Sequence, residues 1–206
     1  MNTFARITSY LFHPLLMPLY ATALLLNTNN YLSYTITPSV QKIIYLIVFT
    51  TTYLLPSLTA MLLLQKGKIE SLQMEHPRER SIPFLVTAVF YVACFYLLQK
   101  IPMFRVVGYA ILGAALTIFI SFLINLKWKI SIHMVGIGGL MGLLFVFTEQ
   151  MHFNFLIPIT IVAIVAGALG TARLQMSAHV PSQIYAGFMM GFGVEWCFMK
   201  SLAYFT

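Results

Sequence analysis

Two short stretches of this chain concentrate residues that can do chemistry on an anionic substrate. The first is TARLQMSAHVPSQIYAGFMMG, residues 171–191. Arg173 and His179 stand at the mouth of an apolar run, and Pro181 suits the first turn of a helix, where its missing N–H costs nothing. A helix starting there would point free N–H groups and the positive end of its dipole at an anion. Arg173 beside that end makes a phosphate site physically sensible, although the same residues also read as a snorkelling interfacial arginine and a loop histidine. The second stretch is KWKISIHMVGIGGLMG, residues 127–142, where Ser131 and His133 open another apolar run. Lys127 and Lys129 precede them and read as the positive flank of a membrane helix.

A third polar segment, QKGKIESLQMEHPRERSI at residues 65–82, carries Lys66, Lys68, Arg78 and Arg80 before Pro83, partly neutralised by Glu70, Glu75 and Glu79. A solvated loop with topology-setting cations is the plain reading of it. Glycines add geometry: Gly138 and Gly142 are four apart, as are Gly187 and Gly191. Small residues at that spacing let membrane helices approach closely. One pair follows His133 and the other follows His179, so the two helices can pack tightly and aim both imidazoles at one point; general packing smallness explains the glycines equally well.

The elements that must position these residues are membrane helices. Of the 206 residues 60% are hydrophobic and only 8% charged, whereas a soluble domain carries about 25% charged residues. Seven stretches are long and apolar enough to span a bilayer, about 11–28, 42–64, 83–99, 105–126, 132–149, 153–171 and 181–204. The first is the weakest, opened by Pro14 and Pro18 and closed by Asn27, Asn29 and Asn30. A six-span version would leave it at the interface. These runs are too continuously apolar for barrel strands. The expected fold is therefore an all-α, polytopic helical bundle of six to seven transmembrane helices, one domain over residues 1–206. Loops separated by two spans share a membrane face, so the segments 65–82, 127–131 and 171–180 are expected to converge. Cys94 and Cys197 both lie in apolar runs, which argues against a disulfide framework. The net charge of +7 points to anionic headgroups and topology rather than nucleic acid.

Taken together, these residues resemble the type 2 phosphatidic acid phosphatase superfamily. Its third motif reads S-R-x5-H-x3-D, and here Ala172-Arg173, His179, Gln183 and then Ala186-Gly187 fall in that register. Its P-S-G-H motif resembles Ile130-Ser131-Ile132-His133. Its K-x6-R-P motif is matched least: Arg80 takes the arginine position, Pro83 is displaced, Gln73 holds the lysine position, and Lys66 or Lys68 would supply that charge. The motif-bearing core covers about residues 66–191.

What the resemblance implies is hydrolysis of a lipid phosphomonoester or diphosphate (phosphatidic acid, phosphatidylglycerol phosphate or a polyprenyl diphosphate) with no metal and no cofactor. His179 would be the nucleophile, forming a phosphohistidine, and His133 the general acid. Arg173, Arg80, Ser131 and Lys68 would hold the phosphate, and Gln183 would orient His179. Gln183 replaces the family's Asp: an amide can accept the imidazole N–H but cannot stabilise imidazolium by charge. Glu195 is twelve residues along the same run, about 18 Å at 1.5 Å per residue, too far to substitute, and is expected to serve a structural pairing or a separate role; Glu149 sits at the far end of its span. A non-catalytic relative that binds or moves an anionic lipid is the alternative, and ligation of haem or metal by His133 and His179 is a third class. The resemblance implies a bacterial inner membrane. Positive-inside counting, with Arg6 and the motif cations on one side, puts the motif face in the cytoplasm, whereas relatives of this kind work on the outer face; both placements stay open, as does the oligomeric state.

Overall fold

The computed structural model describes all residues except 1–2, 29–32, 35, 75, 102–104, 151–153 and 203–206. Asn29, Asn30 and Glu75, as well as the beginning of the sixth expected span and the end of the seventh, lie outside the described residues. In chain order the helices are α1 (Thr3–Leu11), α2 (Met17–Asn27), α3 (Pro38–Val48), α4 (Leu55–Gln65), α5 (Ser81–Leu98), α6 (Arg105–Asn125), α7 (Ile132–Gln150), α8 (Leu156–Gln175) and α9 (Pro181–Leu202). The chain is all-α, and among the described residues six helical segments are long and apolar enough to cross a membrane: Thr3–Asn27, Pro38–Gln65, Arg78–Leu98, Arg105–Asn125, Ile132–Glu149 and Leu156–Gln175. The protein is a polytopic membrane bundle. Helix α9, with 22 residues, has the length to span but carries Glu195 and Lys200.

The first span differs from its sequence reading. It begins at Thr3 rather than near residue 11, because Pro14 and Pro18 interrupt the helix without ending it: a 3-10 turn at Pro14–Leu16 joins α1 to α2. Arg6, read as a flank, thus lies inside this span. The turn is capped by His13, whose Nδ1 accepts the Leu15 N–H at 3.3 Å.

The helices form two compact units, one of residues 1–17 and 129–206 and the other of residues 18–128. In the second, α3 runs into α4 through a π-helical stretch, Phe49–Leu54, ahead of Pro56. Proline withdraws one N–H from the ladder, and hydroxyls relieve the polar backbone as membrane helices require. Thr51 donates to the Ile47 carbonyl at 2.7 Å and Thr52 to that of Val48 at 2.8 Å. Helices α5 and α6 pack on one another, and Tyr91, Cys94 and Leu98 of the first and Val107, Ala110 and Ile111 of the second are buried.

The first unit is built on α7 and α9. Their closeness comes from the two glycine pairs. A Cβ on Gly138 would run into the Phe188 carbonyl oxygen and one on Gly191 into that of Val135; at Gly142 it would lie 2.5 Å from the Phe192 carbonyl oxygen and at Gly187 2.8 Å from that of Ser131. Backbone thus meets backbone along the whole contact, as small-residue membrane packing allows. Helix α8 packs on α7, α1 packs on α8, and the Pro14 turn packs on α7. The last contact is also glycine-made: a Cβ on Gly136 would lie 3.3 Å from the Cα of Pro14 and 3.1 Å from the Met17 side chain.

Candidate functional site

The α7–α9 packing brings the starts of these two helices together, and the end of α8 and the α1–Pro14 corner join them. The Ser131 N–H, just ahead of α7, donates to the Gln183 carbonyl at 3.4 Å, which fixes Ser131 and His133 beside the first turn of α9. Pro181 opens α9, as its place in the sequence suggests. His179 is buried just before it, and its Nδ1 lies 2.8 Å from Gln183 Oε1. The same Oε1 accepts the Val180 N–H at 3.4 Å. An amide oxygen only accepts, so Nδ1 of His179 carries the proton and Nε2 the lone pair.

Arg173 occupies the last turn of α8. Its Nη1 donates to Ser9 Oγ at 3.5 Å, and its Nε is buried with no acceptor among the described residues. Ser131 Oγ is likewise buried without a partner there. His133 Nε2 sits 3.2 Å from the Ser9 carbonyl oxygen. A carbonyl only accepts, so Nε2 of His133 holds a proton and Nδ1 is the atom that can exchange one. Arg173, His13 and His179 all act on His133 electrostatically. Of the residues expected to converge, Ser131, His133, Arg173 and His179 lie together with Gln183 within this one unit.

Ser9 and His13 are members of the cluster that the sequence reading did not single out. Ser9 is buried, and its hydroxyl also donates to Met176 Sδ at 3.6 Å. His13 stands edge-on to His133, with ring centroids 5.6 Å apart at 79°. The available signal was His13-Pro14, a polar residue and a helix interrupter inside an apolar run.

Arg80 and Lys68 belong to the other unit. Arg80 is buried, and its Nε donates to the Met74 carbonyl at 2.8 Å, which draws the 65–82 loop onto the start of α5. Lys68 is exposed. Glu79 Oε1 accepts the Glu70 N–H at 2.8 Å in the same loop.

The acids of the first unit stand away from the cluster in sequence. Glu149 pairs with Lys200 at 3.3 Å. Glu195 is buried, and its Oε1 has no partner among the described residues. Among the described residues no three His, Cys, Asp or Glu side chains are grouped to hold a metal ion. Among the described residues of this unit, the cluster is rich in donors, holds a guanidinium and has no carboxylate among its hydrogen-bond partners, an arrangement suited to an anion.

Fold and site together define an all-α polytopic membrane protein with an arginine, histidine and amide cluster at one end of a glycine-packed helix pair. No family model, curated protein or solved structure matches the chain.

Proposed function

We propose that this protein hydrolyses the phosphomonoester or diphosphate of a lipid through a phosphohistidine. One observation carries the reading: the donors Arg173 Nε and Ser131 Oγ are buried without acceptors among the described residues, beside a histidine whose tautomer Gln183 sets for attack through Nε2. Phosphoryl transfer asks mainly for positioning and for charge stabilisation around the equatorial oxygens, and these groups can supply both.

In the proposed reaction His179 Nε2 attacks phosphorus and the ester P–O bond breaks. The leaving oxygen takes the proton from Nδ1 of His133, which becomes imidazolium once the negative charge of the bound phosphate offsets that of Arg173. A water molecule then gives a proton back to that Nδ1 and cleaves the P–N bond. The sum is ester plus water to alcohol plus phosphate, with His133 and His179 restored. Gln183 holds the tautomer but adds no charge, so stabilisation of the transition state falls mainly to Arg173. The resemblance also assigns Arg80 and Lys68 to the phosphate; the reading stands on the first unit's residues without them.

The test is phosphate release by purified protein in lipid nanodiscs, in EDTA, from a panel of phosphatidic acid, phosphatidylglycerol phosphate and polyprenyl diphosphate. Release from one of them is expected. Saturable binding of these lipids with no release would instead establish the alternative, a non-catalytic anionic-lipid binder, which the uncharged Gln183 favours. Arg173→Ala is expected to lower kcat/KM by about 100-fold, the worth of a charge-assisted pair of about 3 kcal/mol. Arg173→Lys should recover little of this, because an ammonium lacks the Nε donor of the guanidinium fork. Full activity in the lysine variant would show that Arg173 acts only as a membrane-surface charge.

A further inference from the structure

The three histidines of the cluster do not share one tautomer, and each assignment follows from a partner with a fixed role. His179 donates through Nδ1 to Gln183, and His133 through Nε2 to the Ser9 carbonyl. His13 is the reverse of His179. The Leu15 N–H only donates, so Nδ1 of His13 bears the lone pair and Nε2 bears the proton. That Nε2–H has no acceptor among the described residues. The ring is held in place from behind: Pro14 is seated against Gly136 of α7, and the capping bond fixes its orientation. It stands edge-on to His133 and within electrostatic reach of Arg173.

We propose that His13 is a phosphate-binding residue, whose Nε2–H donates to a non-bridging oxygen of a phosphate group seated beside Arg173. The proposal rests on the reading of this cluster as a phosphate site and adds a ligand from the first helix, which the resemblance does not contain. In this arrangement the imidazoles divide the work: His13 binds as a donor, His133 exchanges a proton through Nδ1, and His179 presents a lone pair at Nε2. A fixed N–H donor to a phosphate oxygen is a charge-assisted bond.

Two isosteric substitutions separate binding from capping. Asn places its oxygen where Nδ1 stood, so His13→Asn keeps the Leu15 cap but loses the distal donor. Gln reaches the Nε2 position with an NH₂ group, so His13→Gln keeps the donor but weakens the cap. The measurement is calorimetric titration of each protein in nanodiscs with inorganic phosphate and, separately, with a short-chain phosphatidic acid, accompanied by phosphate release from that lipid. His13→Asn is expected to weaken both ligands about tenfold, the scale of one hydrogen bond to a charged group, with KM rising more than kcat falls. His13→Gln should stay within about threefold of the parent, well inside one such bond.

The opposite ranking, with Asn like the parent and Gln weakened, would reduce His13 to a structural cap and overturn the proposal. So would parent affinity in both variants, or weakening confined to the lipid ligand, which would put His13 against the glycerol or acyl part. Parent protein that binds neither ligand would overturn both this proposal and the site reading beneath it. Phosphate binding weakened by His13→Asn in a protein that hydrolyses nothing would support the His13 assignment while rejecting hydrolysis.

Discussion

Replacing His179 with alanine is expected to cut lipid-phosphate turnover by on the order of 10⁴-fold, the scale seen when a group acting as part of a concerted catalytic set is removed. In the proposed reaction Nε2 of His179 forms the bond to phosphorus, while Ser131 serves as a donor and the nitrogen of His133 that faces Ser9 is already committed. His179 is buried and bonded to Gln183 at 2.8 Å, so the substitution also frees the amide. Thermal denaturation therefore accompanies the assay. An inactive variant with the parent's midpoint assigns the loss to chemistry. A variant that keeps a tenth or more of the parent's rate would remove His179 from the reaction.

The second large effect concerns packing. Gly191→Val is expected to destabilise the protein by about 3 kcal/mol or more, beyond the usual range for an overpacked core position, and to abolish lipid-phosphate hydrolysis with it. At Gly191 an added Cβ meets the backbone carbonyl of Val135 and the Gly139 nitrogen at 3.0 Å. Neither is the far end of a flexible side chain, so α7 and α9 must separate. That separation pulls the Ser131 N–H from the Gln183 carbonyl, and with it His133 from His179. Gly193, two residues along the same helix, has nothing within 4 Å of its would-be Cβ. Gly193→Ala is the control, expected to leave the melting midpoint in detergent unchanged or slightly raised, since alanine is the better helix former. Equal midpoints for Gly191→Val and Gly193→Ala would contradict the close-packed helix pair.

The legible part of this protein is what one-dimensional spacing encodes. Membrane spans announce themselves by length and apolarity, Pro181 marks a helix start, and glycines four apart allow a contact face, although general smallness explains them equally well until the structure pairs α7 with α9. The loop order likewise places Ser131, Arg173 and His179 at one end of their unit. Ser9 and His13 were hidden for a specific reason: prolines at 14 and 18 look like the opening of a span, whereas here a 3-10 turn carries the helix past them, and α1 extends the span back to Thr3. Which side chain meets a backbone carbonyl, as His133 meets that of Ser9, depends on tertiary packing and leaves no mark in composition. Glu195 shows the same limit: sequence context offered a structural pairing or a separate role, and nothing in its spacing says that Oε1 is buried without a partner among the described residues.

The central claim is that a phosphoryl group is transferred to His179, and rapid acid-free quenching of the protein during turnover of a radiolabelled lipid phosphate tests it most directly. The account predicts a base-stable, acid-labile phosphoryl adduct that peptide mapping places on His179 and that His179→Ala lacks. Sustained phosphate release with no adduct on His179, or an adduct mapped to another residue, would contradict it.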